Sequence, residues 1–293
     1  MEGKIKLKSY AKINLLLDVV GKYENDYHKV KMVMQTINLA DKLNFTKAEQ
    51  GITINCNHAS VPEGEENLIY QAAELLLSEF DLAGGLDVRV DKDIPVAAGL
   101  AGGSSNAAAT LVAVNQLWDL GLTTAQLERR AAKLGSDVPF CISGGTQLAT
   151  GTGTELEKLD VQPNLDLIVI NPPLEVATAE VYNYFSEEEV SKHPQLNKLI
   201  TGLKSNNQEV ILANLDNLLE LVTLNRYSKI GALKEIVAKK TGRALMSGSG
   251  PTILGFVATE ERAQKVVSEL KEELNSDYKI FSANTIDVGV EVL

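Results

Sequence analysis

Residues 94–106 read Ile-Pro-Val-Ala-Ala-Gly-Leu-Ala-Gly-Gly-Ser-Ser-Asn and pass directly into an alanine-rich stretch. A run this poor in bulky side chains lets the backbone close on an anion, with successive N–H groups aimed into one concavity. A helix starting at about Ser104 would add the unpaired N–H donors of its first turn and the positive end of its dipole. The run has no Gly-Lys-Ser/Thr ending, and its glycines do not fall in a G-x-G-x-x-G spacing, so neither a P-loop nor a dinucleotide fingerprint is present here. On its own, the same composition would also serve tight helix packing.

The formal charge of −11, from 28 basic and 39 acidic side chains, argues against a nucleic-acid backbone or an anionic membrane surface as partner. A phosphorylated ligand must then be held by local donors. The two cysteines, Cys56 and Cys141, fit neither a metal-ligand spacing nor a disulfide framework, which suits a reducing cytoplasm. The opening residues alternate as a strand and lack the apolar core of a signal peptide, and no apolar run is long enough to span a membrane.

Periodicity predicts strands over 4–20, 29–38, 42–46, 52–55 and 86–90. Helices are expected from an N-cap at Asn67, from Ser104, and from Thr123 or Thr124 up to Gly135, followed by a short turn over 136–139. Beyond a strand at 165–170, helices are expected at 178–185, 207–215, 228–240 and 260–274, with strands at 244–246, 252–258, 278–286 and 288–292. The pattern is that of two α+β domains, divided near residue 160 into 1–160 and 161–293.

Three separated segments, taken together, resemble the GHMP kinase family of galactokinase, homoserine, mevalonate and phosphomevalonate kinases. The first is Ala11-Lys12-Ile13-Asn14-Leu15, the second is the small-residue loop, and the third is Met246-Ser247-Gly248-Ser249-Gly250-Pro251-Thr252. Asp26-Tyr27-His28 and Gly135-Ser136-Asp137-Val138-Pro139-Phe140 resemble segments of a branch of the family whose acceptor is a diphosphocytidyl polyol. Asp26 stands where that branch has glycine, and Ala97, Ala98 and Ala101 stand where some members do.

The resemblance implies an N-terminal domain of the ribosomal-protein-S5-like type, a ferredoxin-like C-terminal domain, and a site in the cleft between them. It implies phosphoryl transfer from ATP, with Mg²⁺, to an alcohol on a small molecule, by a cytoplasmic monomer or homodimer. Pro95, Val96, Ala97, Ala98, Gly99, Leu100, Ala101, Gly102, Gly103, Ser104 and Ser105 would hold the triphosphate, with Asn67 and Lys92 near its base. Asp137 would be the base and Lys12 the adjacent cation, since this loose transition state is served by positioning and electrostatics. Asn14, Tyr27, His28, Thr178 and Tyr182 would bind the acceptor, and Ser105 is the candidate ligand for the metal. Another small alcohol such as homoserine or mevalonate is the first alternative. A non-catalytic nucleotide-binding regulator is the second, although such a protein should have lost Lys12 or Asp137.

Overall fold

The computed structural model describes residues 3–24 and 26–293; Met1 and Glu2, the first residues of the alternating N-terminal run, lie outside it. The chain opens on a long antiparallel hairpin, β1 (Lys4–Lys22) and β2 (His28–Ala48). The two strands predicted over 29–38 and 42–46 are therefore one, because Leu39, Asp41, Leu43 and Phe45 keep a single inward period across the polar break. Pairing with β1 shifts register between Tyr10 and Lys12, Asn14 and Leu16, and Val19 and Gly21. Such bulges bend a long strand and re-aim its side chains.

β3 (Ile52–Cys56), α1 (Leu68–Glu79) and β4 (Gly85–Asp91) follow, with β4 pairing β2 antiparallel and β3 parallel. Asn67 caps α1 by accepting from the Ile69 N–H at 2.8 Å, as its position before the apolar run predicts. α2 (Gly102–Leu117) starts two residues earlier than expected and is buried on nearly every side through Ala107, Ala108, Ala109, Leu111 and Val114. α3 (Thr124–Ala131) opens on a Thr123–Gln126 capping box and ends before Gly135. Residues 136–139, expected to be a turn, instead lead into α4 (Val138–Ser143), where Pro139 falls in the first turn and needs no N–H partner. The glycine-rich and polar stretch after it holds an unforeseen hairpin, β5 (Thr146–Thr150) and β6 (Glu155–Lys158), with β5 on β2.

The second half runs β7 (Asp166–Asn171), α5 (Thr178–Tyr184), α6 (Leu196–Lys204), α7 (Gln208–Ala213), β8 (Asp216–Asn217) and α8 (Glu220–Arg226). It continues through α9 (Ser228–Thr241), β9 (Arg243–Met246), β10 (Ile253–Val257), α10 (Glu260–Glu273), β11 (Lys279–Ile286) and β12 (Val290–Val292). α6 and α8 were not read from the sequence; α6 buries only Leu199, Gly202 and Leu203, a stripe too narrow to stand out. β7, β9, β10 and β11 form one antiparallel set, which joins the first sheet where β11 meets β2 at Thr285–Ile37. β12 returns to pair with β1, and β8 also lies on β1, so the first strand is covered from both halves of the chain. Among the described residues no helix is long and apolar enough to cross a membrane.

Candidate active site

A cleft of about 1020 Å³ opens between the two halves, and all three sequence motifs reach it. The loop over 95–101 sits on β1. The bulge after Tyr10 frees the Lys12 N–H from the ladder, and it donates to the Leu100 carbonyl at 3.1 Å. Ile94, Ala98 and Leu100 turn inward into a buried cluster with Ile13, Leu15, Leu199 and Phe256. The Leu100 side chain is thus a plug for the loop and lies outside the cleft lining.

Three loop positions, Ala97, Gly99 and Ala101, adopt left-handed backbone at φ of 52°, 73° and 56°. Two alanines therefore stand where glycine would be relaxed, at a cost of roughly 1–2 kcal/mol each. Asp26, the other departure from the family pattern, also has φ 68°. Aspartate tolerates that region better than most residues, and Lys22 grips its carboxylate at 2.9 Å.

Ala101 precedes α2 without any side-chain cap, so the first-turn N–H groups of the helix remain available to an anion. Gly102 and Gly103 differ in kind. A Cβ on Gly102 would lie 2.7 Å from Lys92 Nζ and 3.0 Å from Ile94, whereas one on Gly103 meets only Leu68 at 3.8 Å. Gly103→Val should accordingly fold normally while filling the space in front of the helix. Mg-ATP affinity by calorimetry should fall about tenfold or more, the equivalent of roughly 1.4 kcal/mol; parental affinity would remove the loop from nucleotide binding.

Ser104 lines the cleft, but Ser105 does not. The Ser105 hydroxyl is buried and donates to the Tyr10 carbonyl at 2.7 Å, away from the cleft that Ser104 lines. Asn67 lines the cleft with its amide already committed to Pro62 O and the Ile69 N–H. Lys92 lines it too, in a buried ion pair with Asp41 at 2.5 Å.

In the same cleft, Lys12 Nζ lies 3.4 Å from Asp137 Oδ2 and donates to Asn14 Oδ1 at 3.0 Å. Lys12 and Asn14 share a strand face at i and i+2 and are both buried, while the Asp137 side chain keeps 32% of its exposure, toward the cleft. The third motif packs on the second. Ser247 Oγ donates to Gly99 O at 3.0 Å, and a Cβ on Gly248 would sit 3.3 Å from the same carbonyl. Residues missed in the sequence brace that turn: Asn217 donates to Met246 O and Gly248 O at 2.8 Å each, Glu220 accepts from the Met246 N–H at 2.8 Å, and Thr223 donates to Ser249 O at 3.0 Å.

The end of the cleft nearest the β1–β2 hairpin is aromatic. The His28 ring lies 5.2 Å from Tyr182 at a 35° tilt and meets Phe185 edge-on at 6.1 Å. Tyr27, 64% exposed, lines the same end. Burial, helped by the Lys22 ammonium, holds His28 below its ordinary value, and burial pushes the Tyr182 hydroxyl up. Both are therefore neutral at pH 7. Thr178 lies within 2.9 Å of the Ser249 hydroxyl, joining α5 to the third motif. Phe185 and Ser249 were not singled out beforehand, although Ser249 lay within a quoted motif.

An uncapped helix start in one cleft with a buried lysine beside a part-exposed carboxylate is suited to phosphoryl transfer, and the comparisons agree in class: this is an ATP-dependent small-molecule kinase. The family model for the GHMP kinases N terminal domain matches residues 67–145, and that for the GHMP kinases C terminal matches 196–276. The chain belongs to the GHMP kinase family. It is 44% identical over 272 residues to a protein of Clostridium botulinum (strain Eklund 17B / Type B), covering 92% of this chain and 96% of that one. It is 41% identical over 290 residues to one of Thermoanaerobacter pseudethanolicus, covering 99% of each. Both relatives are named 4-diphosphocytidyl-2-C-methyl-D-erythritol kinase. A crystal structure of 4-(cytidine 5'-diphospho)-2C-methyl-D-erythritol kinase superposes with a TM-score of 0.81 at 27% identity over 96% of this chain and 98% of that one. Homoserine kinase from Cytophaga hutchinsonii reaches the same TM-score at 19% identity, over 100% of this chain and 98% of that one, a likeness of fold alone.

Proposed function

We propose that this kinase transfers the γ-phosphoryl group of ATP to the 2-hydroxyl of 4-diphosphocytidyl-2-C-methyl-D-erythritol, the isoprenoid-pathway step for which its full-length relatives are named. The observation that carries the reading is the pairing of Lys12 with Asp137 at 3.4 Å in the same cleft as the uncapped start of α2, with aromatic side chains lining that cleft as well. In this reading the acceptor oxygen attacks the γ-phosphorus, its proton passes to Asp137, and the bond to the β,γ-bridging oxygen breaks to release ADP. Lys12 steadies the charge that develops between them, and Asn14 holds Lys12 in place.

Among the described residues no cluster of three or more His, Cys, Asp or Glu could hold a metal ion. That fits Mg²⁺ arriving on the nucleotide, where phosphate oxygens and water supply most of its coordination. It would neutralise charge on the phosphates, and Ser104 and Asp137, both lining the cleft, are the protein oxygens that would meet it. The passage from β6 in the first sheet to β7 in the second supports a division near residue 160. The free thiols of Cys56 and Cys141 support a reducing cytoplasm.

Cytosine would stack between Tyr27 and Tyr182, with neutral His28 offering one donor and one acceptor to its edge. A stack of this kind is worth about 1–3 kcal/mol. A coupled ADP-release assay should show strong turnover of the cytidyl compound and little with methylerythritol phosphate, homoserine or mevalonate. Tyr27→Ala should raise KM for the cytidyl substrate about tenfold, and His28→Ala should narrow the preference. The preference should hold at pH 7 and fade as acid protonates His28, since a ring with two donors no longer accepts. Turnover of homoserine or mevalonate alone would move the enzyme to another branch of the family.

A further inference from the structure

Asp41 stands in no motif, lies outside the cleft lining and is fully buried, yet its carboxylate is saturated. Oδ1 accepts the backbone N–H groups of Asp93 and Ile94, both at 2.8 Å. Oδ2 accepts Lys92 Nζ at 2.5 Å and Asn106 Nδ2 at 2.8 Å. A carboxylate has about four lone-pair directions, and all are used. The partners come from two places only: residues 92–94, where the chain enters the small-residue loop, and Asn106, in the helix turn where it leaves. Asn106 also donates to Ser9 Oγ at 2.8 Å, which ties the exit end to β1.

Between these anchors lie Ala97, Gly99 and Ala101, three left-handed residues in a loop held otherwise at Gly99 O by Ser247 Oγ and at Leu100 O by the Lys12 N–H. We infer that Asp41 is a positioning residue for the nucleotide, clamping both ends of the anion loop so that the loop is formed before ATP arrives. The same contacts aim Lys92, whose ammonium lies 2.7 Å from the Cβ position of Gly102, at the first turn of α2. Preorganisation of this kind lowers the ordering cost of binding. It should therefore act on ATP and leave the acceptor's end of the cleft alone. The inference rests on the reading of residues 95–105 as the nucleotide loop.

In Asp41→Asn the new amide nitrogen faces the Lys92 ammonium and the Asn106 amide as donor against donor, which frees both the lysine and the loop exit. Asn106→Ala cuts the exit anchor and leaves the ion pair and both backbone contacts in place, so it carries the test if Asp41→Asn does not fold. Mg-ATP binding by calorimetry and full kinetics should be measured on folded parent and variants. KM and Kd for Mg-ATP should rise about tenfold in Asp41→Asn and severalfold in Asn106→Ala, with KM for the acceptor at saturating ATP within twofold of the parent. A merely structural role would reduce the active fraction and lower kcat for both substrates with the Michaelis constants unmoved. ATP constants within twofold of the parent in the folded variants would overturn the Asp41 assignment. A parent that itself fails to bind Mg-ATP would instead overturn the loop reading.

Discussion

Asp137→Asn should lower kcat by about 10²-fold or more, the scale of positioned general-base catalysis, with little change in KM for either substrate. The substitution keeps the size of the side chain and its place before α4, so the fold should survive. What it removes is the basic oxygen 3.4 Å from Lys12 Nζ. Because Lys12 is buried and Asp137 is its ion-pair partner among the described residues, the amide also leaves the lysine charge poorly compensated. Steady-state kinetics with circular dichroism as the folding control decide the matter. Turnover within a few-fold of the parent would take Asp137 out of the chemical step.

Gly99→Ala should be the most damaging single methyl in the molecule's cleft. The added Cβ would fall 2.3 Å from Ser247 O and 3.1 Å from Gly250 O, both backbone atoms, at a position already at φ 73°. The Ser247 carbonyl cannot swing aside as a side chain would, because it accepts the Gly250 N–H and because Asn217, Glu220 and Thr223 hold the 246–249 turn from behind. Overpacking and left-handed strain together predict a loss of about 2–4 kcal/mol, read as a lower midpoint in urea unfolding. ATP binding should weaken with it, because the loop must lift off β1 to make room. A midpoint equal to the parent's would mean that the second and third motifs do not press on each other as described.

Most of the elements were legible because their periods are clean. Asn67 before the run Ile69, Ala72, Ala73, Leu76 and Leu77 announces α1, and the helix expected at 260–274 is α10. The failures are equally specific. Residues 136–139 look like a turn because a serine, an aspartate and a proline favour one locally, but packing of Val138, Phe140 and Cys141 into the core makes a helix. Ser105 looks like a cleft residue because it adjoins Ser104, yet a helix turns about 100° per residue, and that rotation sends its hydroxyl to Tyr10. Asp41 did leave a signal. A charged residue at an inward position of an alternating strand, between Leu39 and Leu43, has to be paired, and its partners could have been sought.

Local chemistry, readable in the order of residues, determined that a small-residue loop would lead into a helix, that Lys12 and Asn14 would share a strand face, and that a tyrosine and a histidine would fall between the first two strands. Those features depend on neighbours within a few positions. Which distant groups meet was decided only by the tertiary structure: Lys12 with Asp137, Gly99 with Ser247, His28 with Tyr182 and Phe185, and Asp41 with both ends of the loop. Each pairing is set by how β1 bulges, how α2 is buried and where β8 and β12 return to β1. Burial of apolar surface draws those elements together without direction, and only the packed shape places one polar group within bonding reach of another.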